Sequence, residues 1–177
     1  MGGVAQFMYV SARRFREDWQ DAFGCTDIPA LPPLPRRATA GSAGYDFFAP
    51  LAFSLAPGES VRIPTGIRAR IADGWVLMLF PRSGLGFKYR LQLNNTVGIV
   101  DSDYFGARNE GHIFIKLTNA GDRRMSVGIG EAFAQGVFLP FGLTADDDAS
   151  GERTGGFGST GRREASAMDA GFPRRQP

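Results

Sequence analysis

Cysteine and histidine each occur once in the 177 residues, as Cys25 and His112. A single thiol excludes an intrachain disulfide and any multi-cysteine metal cluster, and it suits a reducing compartment. A single histidine excludes any scheme that needs two within one chain, and protein zinc sites built from His and Cys go with it. Acid and base chemistry therefore falls to carboxylates. Lysine is scarce too: Lys88 and Lys116 are the only two, the other basic residues being arginines. Genomic base composition explains that bias more economically than a need for bidentate phosphate contacts. The longest clean apolar run, Trp75 to Phe80, is six residues, far short of a membrane span, and the N-terminus lacks the apolar stretch of a signal peptide. A cytoplasmic protein with no membrane association is expected. Nor does one sign of charge dominate: 20 Lys plus Arg against 18 Asp plus Glu leave +2, which argues against direct nucleic-acid binding and leaves any anionic ligand to be met locally.

What is present points to one folded unit. Hydrophobic residues make up 43% and aromatics 12% of the chain, enough for a sizeable core at the usual size of a single domain. Gly 24 and Pro 11 break helices often enough to favour short strands joined by turns. Residues 1–35 read as an N-terminal extension. In it Ser11 can cap a helix over Ala12 to Phe23, with Phe15, Trp19 and Phe23 on one face and Gly24 as the stop. The prolines between Ile28 and Pro35 then impose a strap of extended geometry. Residues 36–143 carry the strand pattern. Ile67 to Ile71 and Ile113 to Leu117 alternate with period two, Trp75 to Phe80 reads as a strand buried on both faces, and turn signals such as Ala72-Asp73-Gly74 separate them. A sandwich, jelly roll or barrel is implied. Residues 144–177 hold Asp146-Asp147-Asp148 and a Gly-rich stretch with too few apolar side chains for a core, and so read as a flexible tail.

Within that tail, Gly155-Gly156-Phe157-Gly158-Ser159-Thr160-Gly161 lies between Arg153 and Arg162. Glycine amides and hydroxyls can wrap phosphate oxygens, and a lone aromatic can lie over a flat base. Composition alone leaves a phosphate cradle and a plain linker equally open, and a Walker A loop is excluded by the missing lysine.

Four further stretches precede it: Ala43-Gly44-Tyr45-Asp46-Phe47, Pro81-Arg82-Ser83-Gly84-Leu85, Asn95 through Tyr104, and Gly130-Glu131-Ala132-Phe133-Ala134-Gln135. Five stretches in this order and spacing, from Arg36 to Gly161, resemble the five motifs of the trimeric deoxyuridine triphosphate nucleotidohydrolases (dUTPases). The resemblance implies a jelly-roll β subunit, so that with the patterns above the expected fold is mainly β, jelly-roll or β-barrel-like, with one N-terminal helix and a flexible C-terminal tail. It also implies a homotrimer with active sites at subunit junctions, and Mg²⁺-dependent hydrolysis of dUTP to dUMP and pyrophosphate.

Residue by residue, the resemblance makes Asp101 the general base for the water that attacks the α-phosphate, and gives Asp46 a hold on Mg²⁺ through water. Arg82, Ser83 and Gly84 supply a guanidinium fork, a hydroxyl and open backbone to the triphosphate. Gln135 donates to the α-phosphate or fixes the attacking water, although alternation would also set it on one strand face with Phe133 and Val137. Asn95, Gly98 and Val100, with the backbone from Val97 to Ile99, belong to a hairpin able to pair with the edge of uracil. Tyr104 packs under the deoxyribose and leaves no room for a 2′-hydroxyl; Asp103 reads as structural. Arg153, Phe157, Gly158, Ser159 and Thr160 close over the nucleotide.

Three features depart from the common pattern. Glu152 stands where many members have an arginine, with Arg153 one place later; the Ala107-Arg108-Asn109-Glu110-Gly111 link is longer than usual; and the first 35 residues have no counterpart in the minimal subunit. These resemble bacterial and phage variants. Two rival readings remain. A dCTP deaminase of the same fold would carry a second serine after Arg82-Ser83 and a glutamate near the pyrimidine. A nucleotide-sensing module would engage a regulatory protein partner through the N-terminal helix or the 107–111 insert.

Overall fold

The computed structural model describes residues 3–151. In chain order the elements are β1 (Ala5–Tyr9), α1 (Ala12–Phe23), β2 (Arg36–Arg37), β3 (Tyr45–Phe48), β4 (Phe53–Leu55), β5 (Ser60–Pro64), β6 (Ile67–Ile71), β7 (Trp75–Pro81), α2 (Ser83–Tyr89), β8 (Leu91–Leu93), β9 (Gly98–Val100), a 3₁₀ helix (Ser102–Gly106), β10 (Phe114–Asn119), β11 (Met125–Val127) and β12 (Ala132–Pro140). The described strands pair antiparallel in four ladders, β1-β6, β5-β10-β8, β11-β4 and β2-β3-β12-β7-β9. The result is the mainly β, jelly-roll-like body that the turn density implied. No described helix is long and apolar enough to cross a membrane.

Helix α1 forms where its local chemistry dictates. The Ser11 hydroxyl accepts the Arg14 N–H at 3.0 Å, and Gly24, at φ 65°, donates its N–H to Gln20 O at 2.8 Å. Such an N-cap contributes about 1 kcal/mol. The Phe15, Trp19 and Phe23 rings stack in sequence, and with Val10, Ile28 and Leu51 they make a small apolar cluster. The strap follows without regular structure; Pro32 and Pro35 are buried, and Tyr9 donates its hydroxyl to Pro32 O at 2.9 Å.

The main core lies among the ladders, with Phe47, Ile63, Leu77, Leu91, Ile115, Leu117 and Phe133 shielded from solvent. Burying each such side chain contributes roughly 1.5–3 kcal/mol. Three local expectations change. In β7 only Leu77 and Leu79 are buried, while Val76, Met78 and Phe80 stay half-exposed, so the strand is not buried on both faces of the chain. In β12 a bulge between Ala132 and Ala134 shifts the phase: Phe133 and Ala134 both enter the core and Gln135 turns away from it, so Phe133 and Gln135 do not share a face. Helix α2 was not foreseen, because Gly84 and Gly86 argue against helix and none of its residues is buried to supply an apolar stripe.

Candidate active site

Strand β7 carries the two halves of the site. On one side, cross-strand register sets Arg36, Asp46, Gln135 and Phe80 in a row through β2, β3, β12 and β7. Directly opposed residues in an antiparallel ladder project to the same face, so Arg36, Asp46 and Gln135 form a polar strip that ends on Phe80. At the end of β7 the chain turns so that Arg82 ion-pairs with the buried carboxylate of Asp46. Gln135 donates Nε2–H to Pro81 O at 3.2 Å, which ties the amide to the residue before Arg82. A cavity of about 390 Å³ opens beside Asp46, lined by Arg36, Arg37, Ala38 and Phe48. Arg36 stacks its guanidinium 5.3 Å from the Phe48 ring centre, and Arg37 reaches the carbonyls of Ala40 and Ser42. One carboxylate among three arginines leaves local positive charge, the balance a polyphosphate requires.

On the other side, β9 pairs with β7, Gly98 opposite Leu79 and Val100 opposite Leu77. A β-carbon on Gly98 would come within 3.0 Å of the Leu79 Cβ, so glycine is needed there for strand packing as well as for any ligand. The expected hairpin does not form as a paired ladder, since β8 pairs with β10 while β9 pairs with β7, and a loop joins the two strands instead. That loop, Asn94 to Val97, spans from one ladder to the other with Thr96 at φ 65°. Beneath it lies a cavity of about 710 Å³ lined by Asn95, Gly98, Val100 and Tyr104 together with Leu79, Leu93, Ile113 and Phe114, and with Arg62 and Lys116 among its polar members. Asp101 directly follows β9, is half-buried and accepts the Tyr104 N–H on its carbonyl at 3.2 Å. Tyr104 is held by its hydroxyl, which donates to His112 O at 2.7 Å and accepts from Asn109 Nδ2 at 2.7 Å.

The structure thus gathers Asp46, Arg82 and Gln135 in one group and Asn95, Gly98, Val100 and Tyr104 in another, with Asp101 next in the chain after Val100 but not among the residues that line the second cavity. Ser83 and Gly84 open α2 and are exposed; a β-carbon at Gly84 would meet no described atom within 4 Å, so the fold itself does not demand glycine there. Arg153, Phe157, Gly158, Ser159 and Thr160 lie outside the described residues. Among the described residues no group of three or more His, Cys, Asp or Glu side chains converges on a metal position. Sequence reasoning missed Arg36 and Arg37 at the phosphate-like cavity; two adjacent basic residues leading into the first motif were the available signal. It also missed Asn109 and His112 behind Tyr104, which nothing local marks.

The dUTPase family model matches residues 32–161, through all five stretches. The chain belongs to the dUTPase family. A deoxyuridine 5′-triphosphate nucleotidohydrolase of Lactococcus lactis subsp. lactis is 47% identical over 132 residues, 72% of this chain and 87% of the relative. The solved structure of dUTPase from Streptococcus mutans is 34% identical, with a TM-score of 0.58 over 78% of this chain and 97% of that one. A mutant dUTPase of phage phi11 of S. aureus, described for its coordination of a structural Mg(II) ion, shares the fold at 20% identity and a TM-score of 0.59, over 84% of this chain and 98% of that one.

Proposed function

We propose that this dUTPase-family chain is a dUTP diphosphatase: water adds to the α-phosphorus of dUTP, the bond from that phosphorus to the bridging oxygen of the pyrophosphate breaks, and dUMP and pyrophosphate leave. The observation that carries the reading is the pair of candidate subsites on one strand, a cavity of about 710 Å³ beside the β8–β9 loop and an arginine-rich strip around Asp46, in a chain with all five family stretches. Asp101 takes the proton of the attacking water. Asn95 and the backbone at Gly98 and Val100 read the uracil edge, and the Tyr104 ring closes the space a 2′-hydroxyl would need. Arg82, Ser83, Gly84 and Gln135 bind and orient the phosphates. Arg153, Phe157, Gly158, Ser159 and Thr160 complete the enclosure of the nucleotide.

The donor set around Asp46, one carboxylate with arginine and amide neighbours, suits a Mg²⁺ ion carried by the phosphates and touched by protein only through water; it does not suit an all-protein cage. When bound, Mg²⁺ supplies neutralisation of the triphosphate charge. In this reading the chain works in the cytoplasm as a homotrimer with shared sites, and the half-exposed apolar side chains of β7 with the exposed Leu139 and Phe141 support its association with further copies.

Incubating the purified protein with dUTP, UTP and dCTP and resolving the products tests the reading. dUMP and pyrophosphate from dUTP, with little turnover of UTP, are expected. A uracil product from dCTP would point instead to a deaminase, and no product from any of the three to a binding module. A chain ending at residue 151 should lose most dUTP hydrolysis while remaining folded.

A further inference from the structure

The extension helix and the long link after the third motif, two of the three features that depart from the family pattern, are bonded to each other. Glu110 accepts from both the N–H and the hydroxyl of Ser11 at 2.8 and 2.7 Å, across 99 residues of sequence. Asp18 meets Nδ1 of the fully buried His112 at 2.5 Å, and Nε2 of that ring accepts the Gly66 N–H at 2.7 Å. Because Nε2 is an acceptor, the ring proton sits on Nδ1 and is donated to Asp18. The same histidine presents its carbonyl to the Tyr104 hydroxyl, and Asn109 of the same link donates to that hydroxyl. The link also presses on the Tyr104 backbone. Gly111, at φ 69°, runs so close that a β-carbon there would lie 2.7 Å from Tyr104 O. A second tie from α1, the ion pair of Asp21 with Arg62, ends on another lining residue of the cavity.

We propose that α1 is a positioning element for the nucleoside cavity: Asp18, through the His112 ring and carbonyl, fixes the plane of the Tyr104 ring and so sharpens discrimination between deoxyribose and ribose. The proposal rests on the reading of Tyr104 as the wall against the 2′-hydroxyl. A phenol ring of fixed tilt rejects an added hydroxyl by contact, whereas a ring free to tilt yields to it. Asp18 and His112 touch no substrate and act only through Tyr104.

The test measures kcat and KM for dUTP and UTP, together with ring ¹³C spectra of labelled tyrosine, assigned with Tyr104→Phe. Asp18→Ala should lower the dUTP-over-UTP ratio of kcat/KM about tenfold, the scale of a small steric change in a pocket, and should shift or broaden the Tyr104 ring signals. kcat for dUTP should hold within about threefold, because the residues that touch the phosphates are unchanged. Asp18→Asn, which keeps an acceptor for the Nδ1 proton, should retain the wild-type ratio, and Arg16→Ala on the exposed side of α1 should change neither readout. Where Asp18→Ala fails to fold, His112→Gln, which can still accept the Gly66 N–H but not reach Asp18, and Asn109→Ala give the same comparison. Unchanged Tyr104 signals overturn the coupling; altered signals with an unaltered ratio overturn the role in discrimination. A wild-type protein without dUTP turnover overturns the proposed function and the discrimination with it, while the ring spectra still decide the coupling.

Discussion

A β-carbon placed on Gly44 would lie 2.5 Å from Oε1 of Gln135. The glycine of the first motif is therefore required by the side chain of the fourth, since neither a turn nor a positive φ demands it. Gly44→Ala should push the amide off Pro81 O. Because the clash falls on the far end of a flexible side chain, stability should change by less than about 1 kcal/mol. Turnover of dUTP should fall about 10–100-fold, the range for a misplaced orienting group. Parallel denaturant titration and steady-state kinetics check this, and equal losses in both would show that the glycine serves folding alone.

Asp101→Asn should fold and bind a nonhydrolysable dUTP analogue, yet lower kcat by about 10²–10⁴, the range for loss of a positioned general base. Hydrolysis near the wild-type rate would remove Asp101 from that role.

Chelation by EDTA should abolish dUTP hydrolysis and added Mg²⁺ should restore it, because few protein charges face four on the triphosphate. The melting temperature of the nucleotide-free protein should not change on chelation, since no cluster of three or more ligating side chains is assembled among the described residues. A marked fall would point to a structural ion instead.

Locally encoded features were legible in the sequence and distant ones were not. Ser11 and Gly24 define α1 because each cap acts within one helical turn. The β12 bulge was invisible, since Phe133 and Ala134 are both apolar and nothing in the alternation marks the extra residue. The polar strip of Arg36, Asp46 and Gln135 joins residues up to about a hundred positions apart, and only the strand order of the sheet brings them together. Asp101, Arg82 and Tyr104 were singled out by the motif resemblance; Asn109 and His112, which hold the Tyr104 hydroxyl from within and just after the atypical link, were beyond its reach.

Acid should loosen the extension first. Burial alone would raise the Asp18 pKa, but hydrogen bonds from His112 and Arg14 and the Arg14 charge outweigh it and hold the group below its ordinary 3.8. Glu110 lies below its ordinary 4.5, chiefly through the hydrogen bond from the Ser11 backbone. Carboxylates depressed on folding stabilise the native state above their unfolded values, and that stabilisation drains away as pH falls through the folded ones. Denaturant stability should therefore decline from near pH 4.5 downward, and Asp18→Asn should make the decline shallower. An identical acid slope in the two proteins would deny Asp18 its part.

Because β8 and β9 do not pair, the cavity is a gap between strands of two different ladders. β8 is fixed to β10, β9 is fixed to β7, and the Asn94 to Val97 segment joins them along the chain. The width of that gap is consequently an inter-ladder spacing, set by how the lining side chains Leu79, Leu93 and Ile113 pack. Core residues here act as calipers. A methylene added or removed at Leu93 would retune which C5-substituted pyrimidines enter, leaving every polar contact in place.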